Sequence, residues 1–375
     1  MKALFCISTE QNITVPSMGS ERQFLNYANA LAERNHEVYV TNILKETPDW
    51  TIDYDVCHMV NASGFKGPYL HVAQVCKERN IPVLLSTVYW PTREVEKHIA
   101  EKRVANRMTP EAIATQFSVH VSGVANMMKC ADWLLPNSEI EMDVAMDLIG
   151  GTKDRGFDVP EGSSRYEVIY NGIDVDGEIL PALANDDLLF DEKLEELLAE
   201  RFVLCVGRIE VRKNQDALIR AMNPLWEKDP DLQLVLMGDC SAPYIKYIKE
   251  ETKGKNILFC PSGPPAAVMK MMRRCSAHAL VSYIETPGLV NIEAAALNKP
   301  VVVADRGSVF EYLPVEMDGV FYCDPDNIES ITEALEGALK IGEVNELGEY
   351  IRDKFSYKKI AASLEKVYIR AINAK

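Results

Sequence analysis

The chain has 375 residues, of which 47% are hydrophobic and 26% are charged, and its formal net charge is −16. This length favours two domains, each large enough for its own core, and the composition is ordinary for a soluble globular protein. The acidic balance argues against nucleic acid as the main partner, because a phosphate backbone requires a basic surface. It also weakens the case for docking on an anionic membrane.

The nine cysteines are an odd number, and no pair has Cys-x-x-Cys spacing. Most lie in strand-like apolar runs, which favours buried, reduced thiols in a cytoplasmic protein. The N-terminal MKALFCIS lacks the length and the flanks of a signal peptide. No apolar stretch approaches the roughly 20 residues that a membrane-spanning helix requires. We therefore expect a soluble, cytoplasmic protein.

In the first half of the chain, short β-branched runs alternate with helical patterns. Strands are predicted at 3–8, 37–43, 56–60, 82–88, 132–138 and 166–171. Between the first two, apolar residues recur at helical spacing. Ser20 and Gln23 precede them with the Ser-x-x-Gln spacing of a capping box, so this helix is predicted to begin at Ser20.

The acidic segment 174–202 is predicted to be a linker followed by a solvated helix, since it lacks the residue order of a calcium-binding loop. The second half repeats the first, with strands predicted at 202–207, 232–238, 256–260, 277–283, 300–305 and 320–323. The final segment, 356–375, is predicted to be a helix with an apolar stripe, formed by Ile360, Leu364, Val367, Tyr368, Ala371 and Ile372.

Continuous apolar strands separated by helices indicate parallel sheets that are covered on both faces. The fold class is therefore α/β, with two doubly wound, Rossmann-like domains. The N-terminal domain is predicted at 1–180, together with the final helix at 356–375, and the C-terminal domain at 181–355.

Residues 283–302 read YIETPGLVNIEAAALNKPVV, with glutamates on both sides of a Thr-Pro-Gly corner. Ligands of open α/β sheets bind beyond the carboxyl ends of the strands, where this corner is predicted to lie. Thr286 is the predicted N-cap and Pro287 the first helical residue. The amides that follow, those of Gly288, Leu289 and Val290, would then form a binding site for phosphate oxygens.

Carboxylates repel phosphate, so Glu285 and Glu293 are expected to accept hydrogen bonds from hydroxyl groups on either side of these amides. A nucleotide sugar has that layout: sugar hydroxyls, diphosphate and ribose hydroxyls. The alternative is a pair of solvent-exposed glutamates on an ordinary helix. The segment Gly-Arg-Ile-Glu-Val-Arg-Lys at 207–213 favours the first interpretation. Arg208 and Lys213, at a predicted strand end, would stabilise a departing diphosphate without a metal; otherwise they are surface charges.

Together, these motifs resemble the family-4 glycosyltransferases, retaining enzymes with the two-domain GT-B fold, and the resemblance covers nearly the whole chain. It is carried by Glu-x7-Glu at 285–293, Gly-Arg with a lysine five residues on at 207–213, and Asn-Gly-Ile-Asp at 171–174. Elements at 306–311 and 318–325 add to it. The resemblance implies a cleft between an acceptor-side N-terminal domain and a nucleotide-sugar-binding C-terminal domain. It also implies that the last helix crosses back onto the N-terminal domain.

Site roles follow from the resemblance, position by position. Arg208 and Lys213 would grip the donor diphosphate, and Glu285 would hold hydroxyls of the transferred sugar; these three form the catalytic set. The donor-binding set would comprise Gly19, Ser20, Gly288, Leu289, Val290 and Glu293. In that set Glu293 would bind the ribose, and the first two residues correspond to the family's Gly-Gly loop near donor phosphate and acceptor.

The sequence departs from the family pattern at three places. Ser20 replaces the second glycine, and Thr286-Pro287 replaces the usual Gly-Phe. The segment after the fourth strand lacks the family's histidine and carries Tyr89 and Trp90 instead. This aromatic pair would either stack on a sugar or pack in the core. His98 and His120 are the alternatives for an acceptor-side role.

No metal and no other cofactor is predicted. Asp-x-Asp pairs occur at 53–55, 174–176, 229–231 and 324–326, as chance allows among 56 acidic residues, and the cationic side chains would take the role of a metal. The segment 93–108 carries five basic residues against three glutamates. It would either touch an anionic membrane weakly and deliver a lipid-linked acceptor, or be a solvated or acceptor-gating helix.

We therefore expect a metal-independent, retaining hexosyltransferase. It would move a sugar from a nucleoside-diphosphate sugar to a hydroxyl of a glycan, a lipid-linked sugar or a small molecule. The alternatives are another GT-B enzyme, such as an epimerase or a phosphorylase, and a non-catalytic sugar-nucleotide-binding protein. A nicotinamide-dependent dehydrogenase is disfavoured, because residues 8–20 contain no Gly-x-Gly-x-x-Gly.

Overall fold

A computed structural model describes residues 1–9, 19–61, 66–89, 122–148, 166–185, 187–190, 192–240, 244–245, 248–249 and 252–375. Trp90, His98, His120 and the segment 93–108 lie outside these described residues, and Ser20 is described in its backbone alone. In the described part of the chain, every helix is too short or too polar to traverse a bilayer.

The strands of the described residues match the predicted ones closely. They are β1 Lys2–Ile7, β2 Glu37–Asn42, β3 Val56–Val60, β4 Val83–Ser86, β5 Trp133–Leu135, β6 Phe202–Val206, β7 Gln233–Met237, β8 Ile257–Cys260, β9 Ala277–Leu280, β10 Val301–Ala304 and β11 Val320–Cys323. The strand predicted at 166–171 is wrong: Tyr166 forms only an isolated bridge to Leu134. The amides of Glu167 and Ile169 still donate to the carbonyls of Leu134 and Pro136, but Pro136 has no amide hydrogen to make the alternate bond, so the regular ladder is not completed.

The α-helices with defined bounds are α1 Gly19–Glu33, α2 Lys66–Glu78, α3 Glu139–Leu148, α4 Leu180–Ala184, α5 Glu192–Leu197, α6 Gln215–Ala221, α7 Asn223–Lys228, α8 Pro265–Arg274, α9 Leu289–Ala296, α10 Val309–Tyr312, α11 Ile328–Lys340, α12 Asn345–Phe355 and α13 Tyr357–Asn373. Residues 122–130 are also helical. A π-helical turn spans Val175–Ile179, and a 3-10 turn spans Val211–Lys213. The predicted linker at 174–202 therefore contains three short helical pieces.

The N-terminal unit contains a five-stranded parallel sheet in the order β2-β1-β3-β4-β5. Alternate residues of each strand point to opposite faces. Leu4 and Cys6 pack in the core on one face, whereas Ala3, Phe5 and Ile7 pack in the core on the other. Helix α13 covers the second face and buries the predicted stripe there, apart from Ile372, which is partly buried. The prediction that the last helix packs on the N-terminal domain is confirmed.

The C-terminal unit contains a six-stranded parallel sheet in the order β11-β10-β9-β6-β7-β8. The chain adds β7 and β8 on one side of β6, then returns to add β9 on the other side. The strand order therefore reverses between β6 and β9. In doubly wound folds this reversal opens a crevice at the carboxyl ends of the two strands, where ligands bind.

The two compact units divide between residues 172 and 173, and residues 355–375 return to the first unit. The division lies eight residues before the expected boundary at 180. Both Asn171 and Gly172 thus belong to the N-terminal unit, while the segment from Ile173 to Lys354 makes up the described part of the C-terminal unit.

Candidate functional site

The candidate site lies at the carboxyl ends of β6 and β9. After Val206 the chain continues through Gly207 and Arg208 into the 3-10 turn Val211–Lys213. After Leu280 it continues through 281–288 into α9. Because β6 and β9 are neighbours in the sheet, these two loops lie side by side. The topology thus brings together two motifs that are separated by about 70 positions in sequence.

Glu285 and Lys213 form an ion pair at this edge. Lys213 Nζ contacts Glu285 Oε1, and the two side chains are only 11% and 13% exposed. A shielded ion pair feels a lower dielectric constant than a surface pair, so its electrostatic interaction is stronger. The structure therefore joins two of the three predicted catalytic residues, one from each loop.

The same pair sets the protonation of Glu285. Burial alone raises the pKa of this carboxyl, but Lys213 and then Arg212 outweigh burial, and the net pKa lies below its usual value. Glu285 is consequently a carboxylate at neutral pH, as an acceptor of hydrogen bonds from sugar hydroxyls must be.

Arg212 is part of the site although the sequence analysis assigned it no role. Its Nη1 donates to the carbonyl of Ile284 at 3.1 Å and lies 3.5 Å from Glu285 Oε1. The Arg212 carbonyl accepts a hydrogen bond from the amide of Tyr283 at 3.0 Å. This residue therefore fastens the loop after β9 to the turn after β6. The sequence signal that could have identified Arg212 is its position directly before Lys213. Of these two basic residues, only Lys213 has the family spacing.

Arg208 lies at the same sheet edge but does not contact Glu285 in the structure. Its side chain is 60% exposed, and its Nη1 is 4.0 Å from Glu210 Oε2. Its carbonyl accepts a hydrogen bond from Gln215 Nε2 at 3.0 Å, which anchors the backbone. The guanidinium is thus held at the strand end by its main chain while its head faces water, where an anion can reach it.

The start of α9 differs from the prediction. Thr286 was predicted as the N-cap and Pro287 as the first helical residue, but the helix begins at Leu289 and Gly288 is its N-cap. Gly288 has φ 82° and ψ 71°, a left-handed conformation that only glycine adopts readily, so the helix cannot begin before it. Leu289 and Val290 are then the first helical residues, and their amides have no acceptor within the helix.

Glu293 lies one turn into α9 and is 7% exposed. The structure places it on the helix that begins at the site, as predicted, and its contact with a ribose stays a prediction. Beneath the same loop, His278 on β9 accepts a hydrogen bond from the amide of Val206 at 3.4 Å. Burial lowers the pKa of His278 to about 4, so it is neutral at pH 7 and bridges the two central strands.

Asn214 braces the turn that carries Lys213. It has φ 55°, in the left-handed region that asparagine tolerates. Its Nδ2 donates to the carbonyls of Val281 at 3.2 Å and Pro325 at 2.8 Å. The turn after β6 is therefore tied to the loops after β9 and β11.

The Arg-Gly-Ser element at 306–308 lies at the carboxyl end of β10. Arg306 Nη2 donates to Asp324 Oδ1 at 2.9 Å and to Asp326 Oδ2 at 2.7 Å, which joins the loops after β10 and β11. One Asp-x-Asp pair considered for a metal is thus bound to a guanidinium.

Of the donor-binding and acceptor-side residues proposed for the N-terminal unit, the structure describes Gly19, the backbone of Ser20 and Tyr89. Gly19 is the first residue of α1, so this helix begins one residue before the predicted start at Ser20. Tyr89 is 2% exposed and packs in the core. Its amide donates to the buried Glu141 Oε1 at 2.6 Å, and burial raises the pKa of its hydroxyl. These contacts favour the packing alternative over stacking on a sugar.

Comparison with known proteins finds a family match within the C-terminal unit. Residues 188–354 match the family model described as "Glycosyl transferases group 1". A D-inositol 3-phosphate glycosyltransferase of Nocardia farcinica is 30% identical over 190 residues, which are 48% of this chain and 39% of that relative. Spore coat protein SA of Bacillus subtilis is 23% identical over 249 residues, 62% of this chain and 65% of that relative. The chain thus spans less than two thirds of the length of these curated relatives.

Solved structures resemble the whole chain. The crystal structure of Anabaena HepE in complex with UDP and glucose has a TM-score of 0.70 and 16% identity, covering 98% of this chain and 99% of that one. Sucrose-phosphate synthase from Thermosynechococcus elongatus has a TM-score of 0.72 and 15% identity, covering 100% of both chains. At these identities the likeness shows the fold, which is GT-B with two Rossmann-like domains, as predicted.

Proposed function

We propose, from the match of residues 188–354 to the model of the group 1 glycosyltransferases, that the chain transfers a sugar from a nucleoside-diphosphate sugar to an acceptor hydroxyl, with retention of configuration. UDP-glucose is the first donor to test, because the neighbour Anabaena HepE is described in complex with UDP-glucose. The acceptor, the assignment to family 4 and independence from a metal stay predictions.

The observation that carries this proposal is the buried pair of Glu285 and Lys213 at the reversal of strand order. An ionised carboxylate and an ammonium held side by side in one shielded ion pair match the two ends of a sugar diphosphate. The carboxylate accepts hydrogen bonds from sugar hydroxyls, and the ammonium attracts the phosphate oxygens. The exposed Arg208 and the first amides of α9 are the further groups that bind anions.

In the proposed reaction, the bond between the sugar C1 and the diphosphate oxygen breaks as the acceptor oxygen bonds to C1 from the same face. The acceptor proton passes to the departing phosphate oxygen, so no protein base is needed for this step. Arg208 and Lys213 stabilise the negative charge that collects on the leaving group, and this stabilisation increases toward the transition state. Glu285 fixes the sugar in the orientation that exposes this face.

Glu285→Gln is the primary test. It keeps the shape of the side chain but removes the charge, and it should lower the rate of UDP release from UDP-glucose, measured with a panel of acceptors, by about 100- to 1000-fold. Glu349→Gln, an exposed change on α12, is the matched control and should leave the rate unchanged. Circular dichroism of both variants checks that the fold survives. A near-normal rate in Glu285→Gln contradicts the assigned role.

The same assay separates an enzyme from a non-catalytic binding protein. Thermal stabilisation by UDP-glucose with no UDP release under any acceptor would identify a sensor, because a ligand that binds the native state alone stabilises it without turnover. We expect release, and we expect it to be unaffected by a chelator, because the cationic side chains stabilise the leaving group.

A further inference from the structure

The position of Lys213 raises a problem of charge that the proposed function does not resolve. If the proposed function is right, the Lys213 ammonium must bind the donor diphosphate. In the structure, its Nζ is bound to Glu285 Oε1 instead. When Lys213 turns to the diphosphate, a carboxylate that is 13% exposed loses its principal cation. A shielded carboxylate without a counterion tends to take up a proton. A protonated Glu285 would carry an O–H donor and would no longer accept hydrogen bonds through both of its oxygens alone.

We propose that Arg212 is a positioning residue that keeps Glu285 ionised and correctly oriented while Lys213 serves the donor diphosphate. This inference rests on the proposed function and deepens it, since the family spacing that selects Lys213 and Glu285 assigns nothing to Arg212. Three contacts carry it: the Arg212 guanidinium with the Ile284 carbonyl, with Glu285 Oε1 and with Glu210.

The guanidinium is held where it is and cannot follow the diphosphate. Its Nη2 and Nε donate to Glu210 Oε1 at 3.0 and 3.2 Å, on one side. Its Nη1 donates to the Ile284 carbonyl at 3.1 Å, on the other. Arginine presents several donors in a rigid, planar fork, so these bonds also fix the direction of the group. Lys213, with a flexible stem and one ammonium, is the cation that can move.

Both cations approach the same oxygen of Glu285. Lys213 Nζ and Arg212 Nη1 both contact Oε1. Because both cations are on Oε1, the other carboxylate oxygen, Oε2, is left for other hydrogen-bond donors. Loss of the lysine would leave Oε1 facing Arg212, at a distance that can shorten. The carboxylate would therefore keep its orientation as well as its charge.

Among the described residues, the other charged or titratable groups around Glu285 do not replace Arg212. From the turn after β6, Glu210 is already paired with Arg212 and adds negative charge. From β6, Cys205 is buried and its pKa is raised to about 12. From β9, His278 has a pKa lowered to about 4 by burial, so it is neutral at pH 7. Arg208 is 60% exposed and lies near Glu210.

Calorimetry of UDP binding tests the proposal. In buffers with different ionisation enthalpies, the wild type should bind UDP with no proton uptake. Arg212→Met should take up a measurable fraction of one proton per UDP near neutral pH, and Arg212→Lys should restore most of the wild-type behaviour. Arg201→Met is the matched control. Arg201 directly precedes β6 and pairs with Asp229, so it lies at the end of β6 opposite to the candidate site. Equal proton uptake in Arg212→Met and the wild type overturns the proposal.

A second experiment needs no ligand, so it separates this proposal from the proposed function. Lys213→Met imitates the loss of the lysine to the diphosphate. The Glu285 carboxyl is followed by NMR with carbon-13 in the glutamate side chains, and Glu285→Gln assigns the signal. Glu285 should stay ionised at pH 7 in Lys213→Met but titrate at a distinctly higher pH in Lys213→Met/Arg212→Met. Coincident titrations overturn the role of Arg212, whereas failure of UDP to bind any variant contradicts only the proposed function.

Discussion

Gly288 shows how one residue decides the geometry of the site. It ends the loop that carries Glu285 and caps the helix that carries Glu293. A Cβ added at Gly288 would lie 3.2 Å from Glu285 Cγ and 3.1 Å from Asn291 Nδ2. Glycine is therefore required twice at this position, for its left-handed backbone and for the space beside the carboxylate.

Gly288→Ala should destabilise the fold and weaken UDP binding. The left-handed backbone costs an alanine about 1–2 kcal/mol, and the crowding displaces Glu285. Gly254→Ala is a matched control, since Gly254 has φ 73° and nothing within 4 Å of an added Cβ. Urea unfolding should show a loss of stability in both variants, while calorimetry with UDP should show weaker binding only in Gly288→Ala. Equal UDP affinity in the two variants would show that the crowding is relieved without moving Glu285.

The ion pairs at the site show the limit of spacing arguments at the residue scale. Gly-Arg with a lysine five positions later predicts which strand end carries the cations, and Lys213 does meet Glu285. The same pattern gave no role to Arg212, which contacts Glu285, and it paired Arg208 with Lys213, although Arg208 stays exposed. Which of three neighbouring cations turns toward a carboxylate depends on the 3-10 turn at Val211–Lys213.

At the scale of the element, α13 is the part whose position is clearest from sequence. Its apolar residues recur at helical spacing, and in the structure they pack against Phe5, Phe24 and Leu31 of the N-terminal unit. His58 Nδ1 and the hydroxyl of Tyr368 lie 2.5 Å apart, and His58 Nε2 lies 2.8 Å from Ser86 Oγ. The final helix is thus an integral part of the N-terminal core.

Leu364→Ala should lower the free energy of unfolding by about 2–5 kcal/mol, because it leaves a cavity in this core. Leu364 is 0% exposed, whereas Ile369 on the same helix is 49% exposed. Ile369→Ala, which removes a side chain of similar size, should change stability by no more than about 0.5 kcal/mol. Urea unfolding measures both. Similar losses in the two variants would contradict the packing of α13 described above.

At the scale of the whole molecule, the described residues of each unit include a fully buried histidine at the centre of the sheet, His58 in one and His278 in the other. Burial lowers the pKa of His58 to about 3 and that of His278 to about 4, against an ordinary value of 6.5. Well above pH 6.5 both histidines are neutral in the native and in the unfolded chain, so the two states bind the same number of protons at these sites. As the pH falls through 6.5, the histidines of the unfolded chain bind protons while those of the native chain stay neutral. The free energy of unfolding therefore decreases as the pH falls toward the native pKa values of about 3 and about 4.

Acidification from pH 6.5 to 5 should therefore cost about 1.6 kcal/mol at each histidine, because the slope rises from about half of roughly 1.4 kcal/mol per pH unit at pH 6.5 to nearly the full value at pH 5. Urea unfolding at several pH values measures the slope, and His58→Gln should reduce it by the contribution of one group. Titrating carboxylates contribute to both proteins, so the difference in slope isolates His58. His71→Gln, an exposed change on α2, is the control and should leave the slope unaltered. A slope unchanged in His58→Gln would show that His58 is protonated in the native state.

What the sequence determines by itself is local or periodic. The period of the apolar residues predicts eleven of the strands and the final helix, because a buried strand or helix face must be apolar along its own length. The run 166–171 meets this condition and still forms no regular strand, because Pro136 in the neighbouring segment after β5 has no amide hydrogen to donate to it.

The remainder is decided by tertiary structure. Only the sheet order sets β6 beside β9 and so joins Lys213 to Glu285 across about 70 residues. Only the left-handed turn at Gly288 moves the start of α9 beyond Pro287. Only the packing of two adjacent loops turns Arg212 rather than Arg208 toward the carboxylate. These features depend on distances between residues far apart in the chain, and no local pattern of residue types contains such distances.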